Sequence, residues 1–523
     1  MHKNNPYSEK KPDFARLASR YPSFAPFVTV SDAGIPCIDF KDPRALKELT
    51  HCLLKEDWTL DVQVRDDRIC PPVLLTHRRL DYIYHLLDIE PSLPSSSSKS
   101  LRVLDIGTGA TAIYPILLHR IRPLSHITAT ELDNTSYQHA LQTLETNKIP
   151  ASSITVVKAP SPNPILFPLL KAKDEEAWDF TMCNPPFFES AEEMQKGIDL
   201  KEEGAHAAPT AADNELITRG GEVAFISSMI RESTIIDKRC QWFTSLVGKY
   251  SSLEPLIALF KELKIDNYFV KISQQAKTAR WIIGWSHTTT RLPDSITRPS
   301  EVIPNTSFTQ ILPPSNMYML HAQPGISIDA LRTTLLETLA SIELEPVQSE
   351  PSTATGSQSD GDDVIVLAPK ANTWSRAARR EAARIAASGE KPAVPSESSQ
   401  SVFRTKIRLV KGSDEGSQLE IDWTDGEGKD RETWESFCKF LLSKMGLTRK
   451  KIAGEEQREQ GSGRQEEKWG QKGSTRGRGS ASRGRGHARN GNESAPRGSH
   501  KRKTFQASHQ ERDSGYAQRR RVE

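Results

Sequence analysis

No two cysteines in this chain stand in a CxxC pair. The six present, Cys37, Cys52, Cys70, Cys183, Cys240 and Cys438, are scattered through 523 residues. This spacing excludes the dense disulfide scaffold of a small secreted domain and the Cys/His cluster of a structural zinc site. It reads as reduced thiols in an intracellular protein, with no metal expected. Long apolar runs are also lacking. None reaches the ~18–20 residues that span a bilayer, and the polar stretch Met1–Lys11 offers no apolar core for a secretory signal, so no membrane partner is expected. Hydrophobic residues make up 36% of the chain, short of the roughly 45–50% of a compact globular protein. With 30 Gly and 33 Pro, part of the chain is too poor in apolar residues to bury a core. At about 150 residues per domain, there is room for two or three domains with linkers.

The formal charge is only +3, but it is unevenly held. Residues 471–523 contain 14 basic and four acidic groups, leaving 56 basic against 63 acidic in the rest. The positive charge therefore resides in the tail.

Along the chain, 1–90 reads as a helical module. Asp42-Pro43 followed by Ala45, Leu46, Leu49, Leu53 and Leu54 gives an amphipathic helix capped by Asp42, with Pro43 in its first turn. A second helix begins at Arg78-Arg79. After a Ser/Pro-rich joint at 91–100, strands and helices alternate. Leu101–Ile106, His126–Leu132, Ile154–Val157, Trp178–Cys183 and Glu222–Ser227 read as strands. Thr111–Arg120, Tyr137–Asn147 and Ile235–Gly248 read as helices. This alternation implies a mostly parallel, doubly wound α/β sheet over 91–290. The five prolines of 291–316 mark a linker. A smaller mixed α/β region follows over 317–450, and 451–523 is too polar to fold. No internal repeat of fixed period is present.

Two motifs carry chemistry. Leu104-Asp105-Ile106-Gly107-Thr108-Gly109 ends a strand and opens a helix, where glycines allow a tight turn and backbone N–H groups face a ligand. Glu131 ends the next strand, 22 residues past Gly109, placed to accept hydrogen bonds from both hydroxyls of a ribose. NAD, FAD and S-adenosylmethionine all present that ribose, so these residues specify a nucleoside cofactor and not a reaction. The second motif is Asn184-Pro185-Pro186-Phe187 at the end of a later strand. Its stiff turn leaves the Pro185 carbonyl and the Asn184 amide oxygen as two acceptors for one –NH₂ group, and Phe187 offers a face to a flat base. Such a turn suits methyl transfer to a planar amine, because hydrogen bonds to its N–H groups push electron density onto a poorly nucleophilic nitrogen.

On these motifs the chain resembles class I (Rossmann-like) S-adenosylmethionine-dependent amino-methyltransferases. It is most similar to the methyltransferase-like 16 and RlmF family of RNA adenine-N6 methyltransferases. KPDFARLASRYPSF (11–24), DFKDPRALKELT (39–50), LDIGTGATAIYP (104–115), ATELD (129–133), CNPPFF (183–188) and KTARWIIGW (277–285) carry that likeness over about residues 8–290. The resemblance implies methyl transfer from S-adenosyl-L-methionine to adenine N6 in structured RNA. The eukaryotic family's usual substrate is U6 small nuclear RNA, and the expected place is the nucleus, with a cytoplasmic pool left open. It implies a catalytic turn of Asn184, Pro185, Pro186 and Phe187. It places Arg79, Asp105, Gly107, Gly109, Glu131, Asn163 and Asn184 at the cofactor, and Lys41, Lys277 and Arg280 at RNA. Pro162 stands where the family carries a lysine able to block cofactor access, a departure in the 158–163 loop. The resemblance also gives the 1–90 module and the 317–450 region RNA-binding roles; protein partners stay unassigned. Two other readings stay open: methylation of another amine, such as a protein glutamine or a ribosomal RNA adenine, and a non-catalytic RNA-binding splicing factor. The polar segment 189–214 reads as a lid over the base pocket.

RGRG boxes at 476–479 and 483–486 and the basic clusters 501–503 and 519–521 attract phosphate without reading sequence. Deleting 451–523 is expected to lower RNA affinity and flatten its salt dependence, while turnover at saturating RNA is unchanged. Binding isotherms of full-length and truncated protein at several salt concentrations check this; equal salt slopes would rule out contact between tail and phosphate.

Overall fold

The computed structural model describes residues 2–8, 12–68, 73–93, 100–193, 217–275, 278–298, 306–347, 364–388, 401–411 and 416–449. The basic tail, Lys277 and all of the expected lid beyond residue 193 lie outside them.

Helix α1 (Phe14–Arg20), a hairpin of β1 (Val28–Val30) and β2 (Pro36–Ile38), and α2 (Pro43–Trp58) form the N-terminal module. Asp42 caps α2 by accepting the Arg44 N–H at 2.9 Å, as its sequence indicated. Leu49, Cys52 and Leu53 pack on Leu17, Phe24 and Ile38 in a small core. On another side of the same helix, Leu54 joins Leu80, Tyr82 and Ile83 of α3 (Val73–Leu87) in the main core.

The main sheet contains β3 (Arg102–Ile106), β4 (His126–Glu131), β5 (Ile154–Lys158), β6 (Trp178–Cys183), β7 (Cys240–Val247), β8 (Asn267–Gln275) and β9 (Thr278–Ser286). Their order is β5-β4-β3-β6-β7-β9-β8. The first five are mutually parallel, and β9 and β8 close the sheet antiparallel. The expected doubly wound class I fold is present. Helices α4 (Ile113–Ile121) and α5 (Asn134–Thr146) pack with α3 over one face; α6 (Phe167–Lys171), α7 (Gly221–Ile236) and α8 (Leu253–Glu262) cover the other. Both faces are buried, so the parallel strands carry apolar side chains into both cores. Val103, Phe180 and Trp242 point into one core, and Leu104, Cys183 and Phe243 into the other.

Two elements differ from the sequence reading. Glu222–Ser227, read as a strand, opens α7; Ile235–Gly248, read as a helix, contains β7. Gly220 and Gly221 both have positive φ, at 77° and 63°, and start a helix whose buried Ile226, Met229, Ile230 and Ser233 recur every three or four residues. The buried residues of α7 and β7 are both mostly apolar and only Asp237–Arg239 separates them, which hid the change of period. Likewise α4 begins at Ile113, because Ala112 has a left-handed φ of 47°.

The stretch 291–316 is not bare linker. It forms α9 (Asp294–Thr297) and α10 (Thr306–Ile311) and buries Leu292, Ile296, Phe308 and Leu312. Beyond it, β10 (Met317–His321), α11 (Ile328–Ala340), β11 (Val364–Leu367), α12 (Arg376–Ser388), β12 (Arg404–Lys411), β13 (Ser417–Asp425), α13 (Arg431–Lys444) and β14 (Thr448–Arg449) build a second, antiparallel sheet ordered β11-β12-β13-β10-β14. The joint between the sheets centres on Arg291, whose side chain is 3% exposed. Its guanidinium lies 4.3 Å from the Trp423 ring centroid, pairs with Asp266 at 3.0 Å and donates to the Gly426 carbonyl at 2.7 and 2.9 Å.

The extreme N-terminus is held by a polar cluster. The Lys271 ammonium on β8 pairs with Asp88 at 2.9 Å, and His2 Nε2 lies 3.2 Å from the same carboxylate. Burial lowers the Lys271 pKa, against the pull of Asp88. Burial alone would raise the Asp88 carboxyl, but His2, His85 and Lys271 outweigh it and hold it well below the usual range. Removing one member of a buried pair strands the other. Asp88→Asn is therefore expected to cost about 3 kcal/mol, measured by urea denaturation of the full chain.

Candidate active site

In the main sheet β4 and β5 lie on one side of β3, and β6 and β7 on the other. Such a switch point opens a crevice at the carboxyl ends of the strands. Gly107 and Gly109 turn the chain there with φ of 65° and 70°. A Cβ on either would meet nothing within 4 Å, so the glycines are required by backbone angle and the space before them is open. The Gly109 N–H donates to Glu131 Oε2 at 2.8 Å, and the Asp133 N–H to Oε1 at 2.8 Å. Glu131 thus braces the turn. Its carboxylate faces the turn that opens the crevice.

Beneath the turn, Asp105 is 1% exposed, and its Oδ2 has no hydrogen-bond partner among the described residues. Burial raises its carboxyl to about 7; Glu131 adds to the rise, while Thr108 and Arg79 oppose it. Arg79, on α3, holds its guanidinium 4.9 Å from the Tyr114 ring centroid, with its buried Nε also unpartnered among the described residues. Asn163 is exposed on the loop after β5.

On the other side of the crevice β6 ends in the Asn184–Phe187 turn. Pro185 is buried, and Asn184, Pro186 and Phe187 are half-buried. The turn is anchored from behind by Tyr82. The Cys183 N–H donates to the fully buried Tyr82 hydroxyl at 3.1 Å, and that hydroxyl lies 2.7 Å from Thr244 Oγ1 on β7. In front, the Arg280 guanidinium lies 5.6 Å from the Phe187 ring centroid and donates to the Gly248 carbonyl at 3.1 Å. Lys249 Nζ lies 5.6 Å from the Phe188 ring centroid and pairs with Glu193.

The structure thus brings Arg79, Asp105, Gly107, Gly109, Glu131 and the Asn184–Phe187 turn to one edge of the sheet. Arg280, expected at RNA, lies beside that turn. Lys41 is exposed in the turn before α2, its N–H donating to Asp39, and no described contact links it to the crevice. Sequence reasoning missed Tyr82, Glu222 and Gly248. Tyr82 stands three residues after Arg79, one helical turn along the same face. Glu222 was obscured by the strand reading of its segment.

A model of an RNA methyltransferase family, Methyltransf_10, matches residues 1–289. The chain belongs to this family. It is 37% identical over 291 residues to the RNA N(6)-adenosine-methyltransferase mettl16 of Xenopus laevis, covering 55% of this chain and 52% of that protein. It is 30% identical over 407 residues to the U6 small nuclear RNA (adenine-(43)-N(6))-methyltransferase of Schizosaccharomyces pombe, covering 77% of this chain and 94% of that protein. Against the ribosomal RNA large subunit methyltransferase F of Pseudoalteromonas translucida the identity is 33% over 289 residues, covering 53% of this chain and 89% of the relative. The match thus spans about half the length of the Xenopus relative and nearly all of the fission-yeast one.

The buried Asp105 carboxyl keeps its proton to about 7 in the folded chain, against an ordinary value of 3.8. Its contribution to stability is full below 3.8 and is lost as the pH rises to about 7, because only the unfolded chain releases the proton in that window. Asp105→Asn is expected to remove a slope of about 1.4 kcal/mol per pH unit. Denaturation of both proteins at pH 5 and pH 7 checks this, and parallel pH dependence would place the proton elsewhere.

Proposed function

We propose that this chain transfers a methyl group from S-adenosylmethionine to N6 of an adenosine in structured RNA, with U6 small nuclear RNA as its substrate and the nucleus as its place of action. The observation that carries the reading is the Asn184–Phe187 turn facing the Gly107–Gly109 turn and Glu131 across one crevice. The pocket suits the cofactor. Open space lies before the two glycines, Glu131 stands at the end of the next strand beside them, and Asp105 Oδ2 and Arg79 Nε, unpartnered among the described residues, provide one buried acceptor and one buried donor.

S-adenosylmethionine supplies an electrophilic methyl group when bound. The chain's own residues do the rest. Glu131 would hold the ribose, and Arg79 and Asp105 would offer a donor and an acceptor to the rest of the cofactor. The Asn184 amide oxygen and the Pro185 carbonyl accept the two N6 hydrogens, and Phe187 stacks on the base. These acceptors favour a pyramidal nitrogen with more electron density, and holding it in line supplies much of the acceleration. No strong base is needed, because the proton leaves after the nitrogen becomes cationic.

RNA reaches the crevice over basic surfaces. Lys41 is exposed on the N-terminal module, and Arg376, Arg379, Arg380 and Arg384 are exposed on α12, with Glu381 the helix's one acid. The 317–450 region and the tail add phosphate contacts of this kind, which position without specifying sequence. Loss of methyl acceptance after RNase treatment of a cell extract supports RNA over a protein amine; acceptance that survives RNase favours the protein.

Asn184→Ala is expected to abolish methyl transfer with RNA affinity within a few-fold of wild type. The loss should exceed the ~10²–10³ of a single transition-state contact, because the turn acts as a unit. Filter binding and single-turnover methylation of U6 RNA check this. A variant that keeps more than about a tenth of the activity would remove the turn from catalysis.

A further inference from the structure

Glu222 is 2% exposed, yet among the described residues it forms no ion pair within 4 Å. Its carboxylate is spent on one stretch of backbone. Oε2 accepts the Gly248 N–H at 2.6 Å, and Oε1 accepts the Lys249 N–H at 3.0 Å and the Ser252 hydroxyl at 2.6 Å. These bonds fix the chain as it leaves β7 at the carboxyl edge, beside the end of β6. The Gly248 peptide is gripped from its other end as well, because its carbonyl accepts from Arg280.

Gly248 is also where the Phe187 ring comes closest to the backbone. A Cβ there would stand 2.7 Å from Phe187 Cδ1 and 3.1 Å from Cε1. Gly248 does not have the positive φ that favours glycine, so here glycine is required by the ring, not by the backbone angle. The Arg280 guanidinium lies over that ring. Phe187 is therefore bounded by a bare peptide and a guanidinium, and both are held through Gly248, whose own position is set by Glu222.

We infer that Glu222 is a positioning residue for methyl transfer: through the Gly248 peptide it sets the ring plane of Phe187 and the guanidinium of Arg280, and so the pose of the target base. This rests on the proposal that the Asn184–Phe187 turn holds that base. An α-helix here serves to deliver one carboxylate to a loop. Gly220 and Gly221 turn the chain into α7 so that Glu222 falls in its first turn, where negative charge is also favoured by the helix dipole.

Two substitutions test it in the full-length protein. Glu222→Gln keeps the size but offers one acceptor oxygen where the loop needs two. Gly248→Ala keeps the Glu222 carboxylate but crowds both Phe187 and Glu222 Oε2, which a Cβ would meet at 3.1 Å. A misplacement of about 1 Å costs on the order of 10²-fold, so each is expected to lower kcat on U6 RNA by ten- to a hundred-fold. The KM for RNA and the calorimetric affinity for S-adenosylmethionine should stay within three-fold of wild type. A purely structural role would instead lower the melting temperature and all three quantities together. The inference is overturned if Gly248→Ala keeps kcat within three-fold, or if cofactor affinity falls as far as kcat. Should Glu222→Gln fail to fold, Gly248→Ala decides alone. Wild-type protein is assayed first: no transfer to any RNA would defeat the reading of the turn, whereas wild-type activity with unchanged variants would defeat only the role of Glu222.

Discussion

The hydroxyl of Tyr82 sits where helix α3 meets strands β6 and β7, and the site depends on that meeting. It accepts the N–H of Cys183, the residue before the Asn184–Phe187 turn, and bonds the Thr244 side chain on the neighbouring strand. The Thr244 N–H in turn donates to Thr181 Oγ1 on β6 at 3.0 Å. A buried hydroxyl without partners is costly, so this group has one stable place and brings its helix with it. The same helix carries Arg79 to the other half of the crevice. One phenol thus fixes the spacing between the proposed cofactor pocket and the proposed base pocket.

The helix is itself pinned from its far side. Asp81 accepts the N–H of His2 at 3.0 Å and the amide of Asn5 at 2.6 Å, and Asp88 pairs with Lys271. The first residues of the chain therefore belong to the scaffold of the site, although they look like a polar leader. Their charges are compensated locally, which keeps a polar patch tolerable between α3 and the edge strand β8.

Much of this was legible in the sequence, for identifiable reasons. The Gly107–Gly109 turn, Glu131 and the Asn184–Phe187 turn are local patterns in which each residue's chemistry is set by its immediate neighbours, and all three fall where the alternation of strands and helices placed them. The braces were not legible. Glu222, Gly248 and Tyr82 act on residues between 26 and 162 positions away, and nothing near them in sequence marks their targets. The period failed at 222–248 because α7 and β7 are both apolar and meet with a short connection, so helix and strand could be exchanged without violating composition. Arg280 was assigned to RNA by resemblance alone; its stacking on Phe187 depends on strand register, which no local pattern shows. Prolines suggested a bare linker at 291–316, but Leu292, Ile296, Phe308 and Leu312 outweigh them by packing.

The Arg291 joint fixes a length. Strand β9 runs antiparallel to β7, so Arg280 stands at the carboxyl edge of the parallel strands, while Ser286 and the residues that follow stand at the opposite edge. The Arg291–Trp423–Gly426 contact is on that opposite edge. The six residues of strand from Arg280 to Ser286, at about 3.3 Å each, put the two at least about 20 Å apart. A ligand that touched both the Asn184–Phe187 turn and this joint would have to bridge the full depth of the sheet. A single nucleotide does not reach that far, so the joint can act on the crevice only through the strand that connects them.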